Sequence, residues 1–163
     1  MPGASSWSFR EEDSRAITAL LSGLLRETNV KSLMLVDRSG QVVSSVGEPP
    51  QFDPQAFASL TAADFSANDQ LARMIGEHEF SSLFHQGEKE SMYLADVGRR
   101  VILVALFDSR TTLGLVRLKV RSTVEELTRL FEAMFNRVGT ESPKVEGFGT
   151  KEAEDEIDKL FGD

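Results

Sequence analysis

Between Asp53 and Gly76, apolar residues recur at steps of three and four: Phe57, Leu60, Ala63, Ala67, Leu71, Met74 and Ile75. That spacing marks one stripe of an α-helix. Asp53 suits the N-cap, Pro54 the first helical position and Gly76 the stop. The pattern therefore predicts about six turns with this stripe facing the core. The opposite face is unusual. Where a solvated helix carries Lys and Glu, this one has Ala58, Ser59, Ala62 and Ser66, with Phe65 projecting from the flank between the two faces. A smooth surface of small residues suits close contact with another protein; burial under loops of the same domain is the alternative.

Elsewhere the period alternates between helix and strand. Ser8 is placed to cap a first helix over Phe9 to Glu27, whose stripe is Ile17, Leu20, Leu21, Leu24 and Leu25. The period then falls to two across Ser32–Asp37 and Val42–Val46, with Arg38-Ser39-Gly40 as the turn of a hairpin. Gly47-Glu48-Pro49-Pro50-Gln51 continues neither strand nor helix and reads as the loop into the central helix. Strands follow over Glu79–Gln86, Ser91–Asp96 and Val101–Phe107. The last is apolar throughout, as a strand covered on both faces should be. A long helix over Thr112–Arg137 buries Leu113, Val116, Val120, Val124, Leu127, Phe131 and Met134. The order α-β-β-α-β-β-β-α predicts an α+β fold, a five-stranded antiparallel sheet flanked by helices. The expected division is a flexible N-terminus at 1–8, a folded domain at 9–138, a linker at 139–150 and an acidic amphipathic tail at 151–163.

Composition narrows the function classes. A net charge of −8 opposes nucleic acid or an anionic membrane as main partner, because both require a basic footprint. No apolar run reaches membrane-spanning length, and the start lacks a signal-type segment, so an intracellular protein without membrane insertion is expected. The absence of cysteine removes disulfides and thiol catalysis. No G-x-x-x-x-G-K-[ST] run occurs, so the chain is not itself a P-loop GTPase; G-x-S-x-G and H-E-x-x-H are also missing. His78 and His85 are better read as packing or polar groups than as metal ligands, and no cofactor or catalytic constellation is expected. Arg110, in the loop after the most buried strand, could reach a partner's nucleotide as an arginine finger or could serve the fold, with Thr111 or Thr112 capping the last helix. The tail presents Ile157, Leu160 and Phe161 among acidic residues, the display of a short docking peptide or of a solvated end.

Four runs carry a resemblance: Ser59-Leu60-Thr61-Ala62; Leu71-Ala72-Arg73-Met74-Ile75-Gly76-Glu77; Phe84-His85-Gln86-Gly87; and Phe107-Asp108-Ser109-Arg110-Thr111-Thr112-Leu113-Gly114-Leu115-Val116-Arg117-Leu118. With the element order, they resemble the MglB branch of the bacterial Roadblock/LC7 proteins over roughly residues 10–137. The resemblance implies a homodimer in which the third strands and second helices of two protomers pair, giving one continuous sheet under a two-helix platform. It further implies that a Ras-like small GTPase of MglA type binds this platform in its GTP form. Its hydrolysis is then accelerated without an arginine finger, in the service of cell polarity and gliding motility. A bacterial cytoplasmic location, concentrated at a cell pole, goes with it.

Carried onto this chain, the resemblance assigns the platform to Ala62, Ser66, Asp69, Gln70 and Arg73. It assigns the dimer interface to Phe65, Ala72, Phe80 and Leu83, and the tail contact to Ile157, Leu160 and Phe161. The chain departs from its relatives at Asp64 and Asn68-Asp69-Gln70, which are bulkier and more polar than the small residues common there. Two other readings stay open: a Roadblock/LC7 scaffold that does not stimulate hydrolysis, and a small-molecule sensor domain of PAS or GAF-like shape.

Overall fold

The computed structural model describes residues 9–141; the residues before and after, including Trp7, Ser8 and the tail, lie outside the described residues. Within that span the elements are α1 (Glu11–Thr28), β1 (Ser32–Asp37), β2 (Val42–Gly47), α2 (Pro54–Met74), β3 (Ser82–Gln86), β4 (Ser91–Val97), β5 (Val101–Phe107) and α3 (Leu113–Glu141). The chain divides into two compact units, Met1–Phe131, which holds the sheet, and Glu132–Asp163, of which the described part is the last turns of α3.

The five strands form one antiparallel sheet in the order β2-β1-β5-β4-β3. β5 lies at its centre, as its unbroken apolar run predicts, because only a central strand is covered on both faces and paired along both edges. Ile102 and Val104 project into a cluster with Met34, Val36, Ala58, Phe65 and Leu94, on the α2 face. Strand alternation sends Tyr93, Leu103 and Ala105 to the other face. There Arg117 of α3 lies over the Tyr93 ring, 5.9 Å from its centroid. Lys119 of α3 reaches Glu27 of α1 at 3.7 Å.

Helix ends follow local chemistry. α1 starts after Arg10, whose backbone N–H donates to Asp13, and ends at Asn29 in a left-handed conformation. The Ser8 cap expected for α1 falls outside the described residues. Asp53 accepts from the Gln55 N–H at 3.0 Å and Pro54 occupies the first position of α2, both as predicted. Thr112 accepts from Leu115 N–H at the start of α3. That helix continues to Glu141, so Gly139 belongs to it rather than to the predicted linker.

The orientation of α2 overturns the sequence reading. The stripe expected to face the sheet points away from it: Leu60 is 71% exposed, Leu71 57%, Met74 82% and Ile75 71%, with Ala63 and Ala67 exposed between them. Only Phe57 of that stripe packs partly against the core. The face that meets the sheet is Ala58, Thr61, Ala62, Phe65, Asn68 and Ala72. Small side chains let the helix lie close on the strands, and the Phe65 ring is buried among Met34, Val36, Leu94, Ile102 and Val104.

Candidate functional site

α2 presents three kinds of surface around its axis. Outward lies the apolar stripe just described. On the flank toward β3, Asp64 meets Nε2 of His85 at 2.6 Å, next to a shallow apolar groove of Phe57, Leu60, Thr61 and Met92. On the flank toward the β1–β2 turn lie Ser59, Ser66, Gln70 and Arg73, all exposed. Gly40 of that turn sits against Ser59 so closely that a Cβ on it would stand 2.9 Å from the Ser59 Cα. The Gln55 side chain donates to the Gly40 carbonyl at 2.8 Å and fixes the same contact.

Toward the C-terminal end of α2 the polar flank ends in a cleft lined by Arg38, Asp69, Arg73, His78, Glu79 and Arg99. Arg38 organises it. Its guanidinium donates to Asp69 of α2 at 2.9 Å and to Asp96 of β4, and it stacks 4.9 Å from the Phe65 ring centroid. Three buried polar atoms here, Arg38 Nε, Asn68 Nδ2 and Asp69 Oδ1, have no hydrogen-bond partner among the described residues.

The residues assigned from sequence therefore separate. Ser66, Gln70 and Arg73 share one accessible flank. Ala62 is turned inward, 8% exposed, and Asp69 is held by Arg38, so neither offers its side chain freely to a partner. Phe65 and Ala72 are fully buried in the protomer's own core, which corrects their assignment to a surface touched by a twin helix. Phe80 and Leu83 are half-buried, Leu83 on the edge strand β3. Ile157, Leu160 and Phe161 lie outside the described residues. The four polar departures also sort themselves: Asp64 pairs with His85, Asn68 is buried, Asp69 pairs with Arg38, and Gln70 alone reaches out.

Arg110 is engaged at the other end of the sheet. Its Nε donates to Asp108 at 3.0 Å and an Nη donates to Glu48 at 3.2 Å. The Asp108 carboxyl is held below its ordinary value by the Arg110 side chain first and the Arg110 N–H second, and the guanidinium is raised in turn by Asp108 and Glu48. His78 and His85 stand in different environments, and no group of three or more His, Asp or Glu suited to a metal occurs among the described residues. Among them too, no helix is long and apolar enough to cross a membrane.

The Roadblock/LC7 domain matches residues 16–107, and MglB of Myxococcus xanthus is 46% identical, superposing with a TM-score of 0.70 over 72% of this chain and 96% of that one. The chain belongs to the Roadblock/LC7 family, on its MglB branch. A gliding protein MglB from Thermus thermophilus is 30% identical over 77% of this chain and 95% of its own, with a TM-score of 0.73. Outside the bacteria, an uncharacterized protein of Methanocaldococcus jannaschii is 28% identical over 71% of this chain and 99% of its own length. The five-stranded sheet and the helix order are those of a Roadblock/LC7 domain.

Arg38 escaped the sequence reading. A lone arginine in a hairpin turn carries no motif, and its two carboxylate partners are 31 and 58 residues away in the chain. The only local signal was the pair of acidic residues, Asp69 on α2 and Asp96 beside a turn, in need of a cation once the helix covers the sheet.

Proposed function

We propose that the protein is a homodimeric regulator of a Ras-like small GTPase of the MglA type, acting as its GTPase-activating protein. The observation that carries this reading is the surface of α2: an apolar stripe suited to a twin helix, flanked by the accessible polar row Ser66, Gln70 and Arg73. Identity of 46% to an MglB supports it. The two platform rows of a dimer bind the partner's switch segments in the GTP-bound, hydrolysis-competent arrangement and not in others. Binding then shifts the partner toward that arrangement and lowers the barrier without supplying a chemical group. The commitment of Arg110 to Asp108 and Glu48 fits a mechanism with no arginine finger. The tail residues Ile157, Leu160 and Phe161 add a second contact to the GTPase, and the setting is the bacterial cytoplasm, at a cell pole, in polarity and gliding.

Phosphate release by the cognate GTPase tests this directly. Acceleration is expected at saturating dimer, and it is expected to fall on Arg73→Glu or Gln70→Lys and to persist in Arg110→Ala. Binding that ignores the nucleotide would instead identify a scaffold, and loss of acceleration in Arg110→Ala with binding intact would restore a finger mechanism.

A further inference from the structure

Where β1 begins and β5 ends, five charged side chains gather at one end of the sheet. Lys31 binds Glu90 at 2.8 Å, while Arg110 binds Asp108 at 3.0 Å and Glu48 at 3.2 Å. The Lys31 ammonium is held above its ordinary value by its hydrogen bond to Glu90 first, and the charges of Glu48 and Asp108 add to the effect, so all three carboxylates act on one spot. Three carboxylates thus face two cations, and the group is one positive charge short of balance. Both oxygens of Asp108 are occupied by Arg110. Glu48 and Glu90 have room left: each is about half exposed and meets its single cation through Oε1.

These two carboxylates line a cavity of about 320 Å³ whose apolar wall is Pro49, Pro50, Phe52 and Leu106. The Phe52 ring lies 4.7 Å from that of Phe57, centroid to centroid, and is still 41% exposed. A metal ion does not suit this setting, because the described residues hold no cluster of three or more ligating side chains. A guanidinium does: its N–H fork can donate to both carboxylates while its flat face lies on an aromatic ring. A free amino acid would also bring a carboxylate, and the nearby cations Lys31 and Arg110 are already bound. We propose that the pocket takes an arginine side chain of a protein partner, with its methylenes on Pro49, Pro50 and Leu106 and its guanidinium donating to Glu48 and Glu90 over the Phe52 ring. The net charge of −8 agrees with a basic partner. The 21 residues of α2, about 30 Å at 1.5 Å per residue, separate this pocket at its N-terminal end from Arg73 in its last turn. The contact is therefore distinct from the row Ser66, Gln70 and Arg73.

Three probes test this by amide NMR on the isotope-labelled full-length chain at low salt: an acetylated and amidated Gly-Arg-Gly peptide, the same peptide with uncharged citrulline in place of arginine, and free L-arginine. The arginine peptide is expected to shift amides centred on Ser32, Gln51, Phe52 and Leu106. It is expected to bind about tenfold more tightly than the citrulline peptide, and more tightly than L-arginine. Glu48→Gln and Glu90→Gln are each expected to weaken it about threefold to fivefold, and Phe52→Ala by a similar factor. All three side chains are exposed, and the same spectra report whether each variant is folded. Equal binding of the citrulline peptide overturns the role of charge and with it the proposal. Tighter binding of L-arginine overturns the protein source, and shifts centred elsewhere, or none at millimolar peptide, overturn the pocket.

Discussion

Arg38 lies over Phe65, its guanidinium carbon 4.9 Å from the ring centroid, while its terminal nitrogens bind Asp69 and Asp96. One side chain thereby ties the β1–β2 turn to α2 and to β4. The two carboxylates are only 17% and 14% exposed, so they depend on this cation for compensation. Because Asp69 adjoins Gln70 and Arg73, the same clamp sets where the exposed row Ser66, Gln70 and Arg73 stands above the sheet.

Arg38→Met is expected to destabilise the protein by about 2–3 kcal/mol, since it strands two largely buried carboxylates and only part of the stacking survives. Urea unfolding of the variant beside wild type measures it. Arg38→Met combined with Asp69→Asn and Asp96→Asn should recover part of the loss; no recovery would show that the ring contact, not the charge pairing, carries the stability.

Phe65 and Leu71 are predicted to behave oppositely, although both lie on α2. Phe65→Ala removes a fully buried ring from the core cluster and should cost about 3–5 kcal/mol in unfolding free energy. Leu71→Ala removes an exposed side chain and should leave the unfolding of the dilute monomer within about 0.5 kcal/mol of wild type. Its effect is expected in sedimentation equilibrium, as weaker self-association.

Gly40 has φ +91°, and an added Cβ would press on the Ser59 backbone. Gly40→Ala is expected to destabilise by about 1–3 kcal/mol through left-handed strain and the push on α2. Thermal unfolding measures the loss. Gly76, also at positive φ but with open space around its Cβ, is the control: Gly76→Ala should show the strain without the clash.

The Asp108 carboxyl is held below its ordinary value by Arg110, so its proton is bound more weakly in the folded than in the unfolded chain. The stabilisation from this pair is therefore present above the unfolded carboxylate value and lost as pH falls through the folded one. Thermal melts of wild type and Asp108→Asn should differ at neutral pH and converge in the acid limb, below about pH 4. A gap that widens toward acid would contradict the pairing.

Much of the fold could be read from the chain because the signals are local. Asp53-Pro54 fixes the start of α2, the run Val101–Phe107 marks the central strand, and the turn after Asp37 closes the hairpin. The alternation that predicts β3 from Glu79 starts three residues early: the strand runs Ser82–Gln86, and before it only the Ser81 carbonyl accepts from β4, at 3.0 Å from Asp96 N–H. The spacing that puts Ser66, Gln70 and Arg73 on one outward flank of α2 agrees with their exposure. The faces of Phe65 and Leu71 were not legible, because the two exchange the places that their helical spacing suggests: Phe65 is buried on the sheet and Leu71 is exposed.

Periodicity and turn chemistry act within a few residues, so the sequence by itself determined the eight elements, their order and the family resemblance. It also determined that α2 has two arcs able to be buried. Which arc meets the sheet is decided by tertiary packing alone. The strands accept the small-residue arc because it lets the backbone approach closely around one inserted ring, and the larger apolar arc is thereby left facing outward, where a second copy of the chain can cover it.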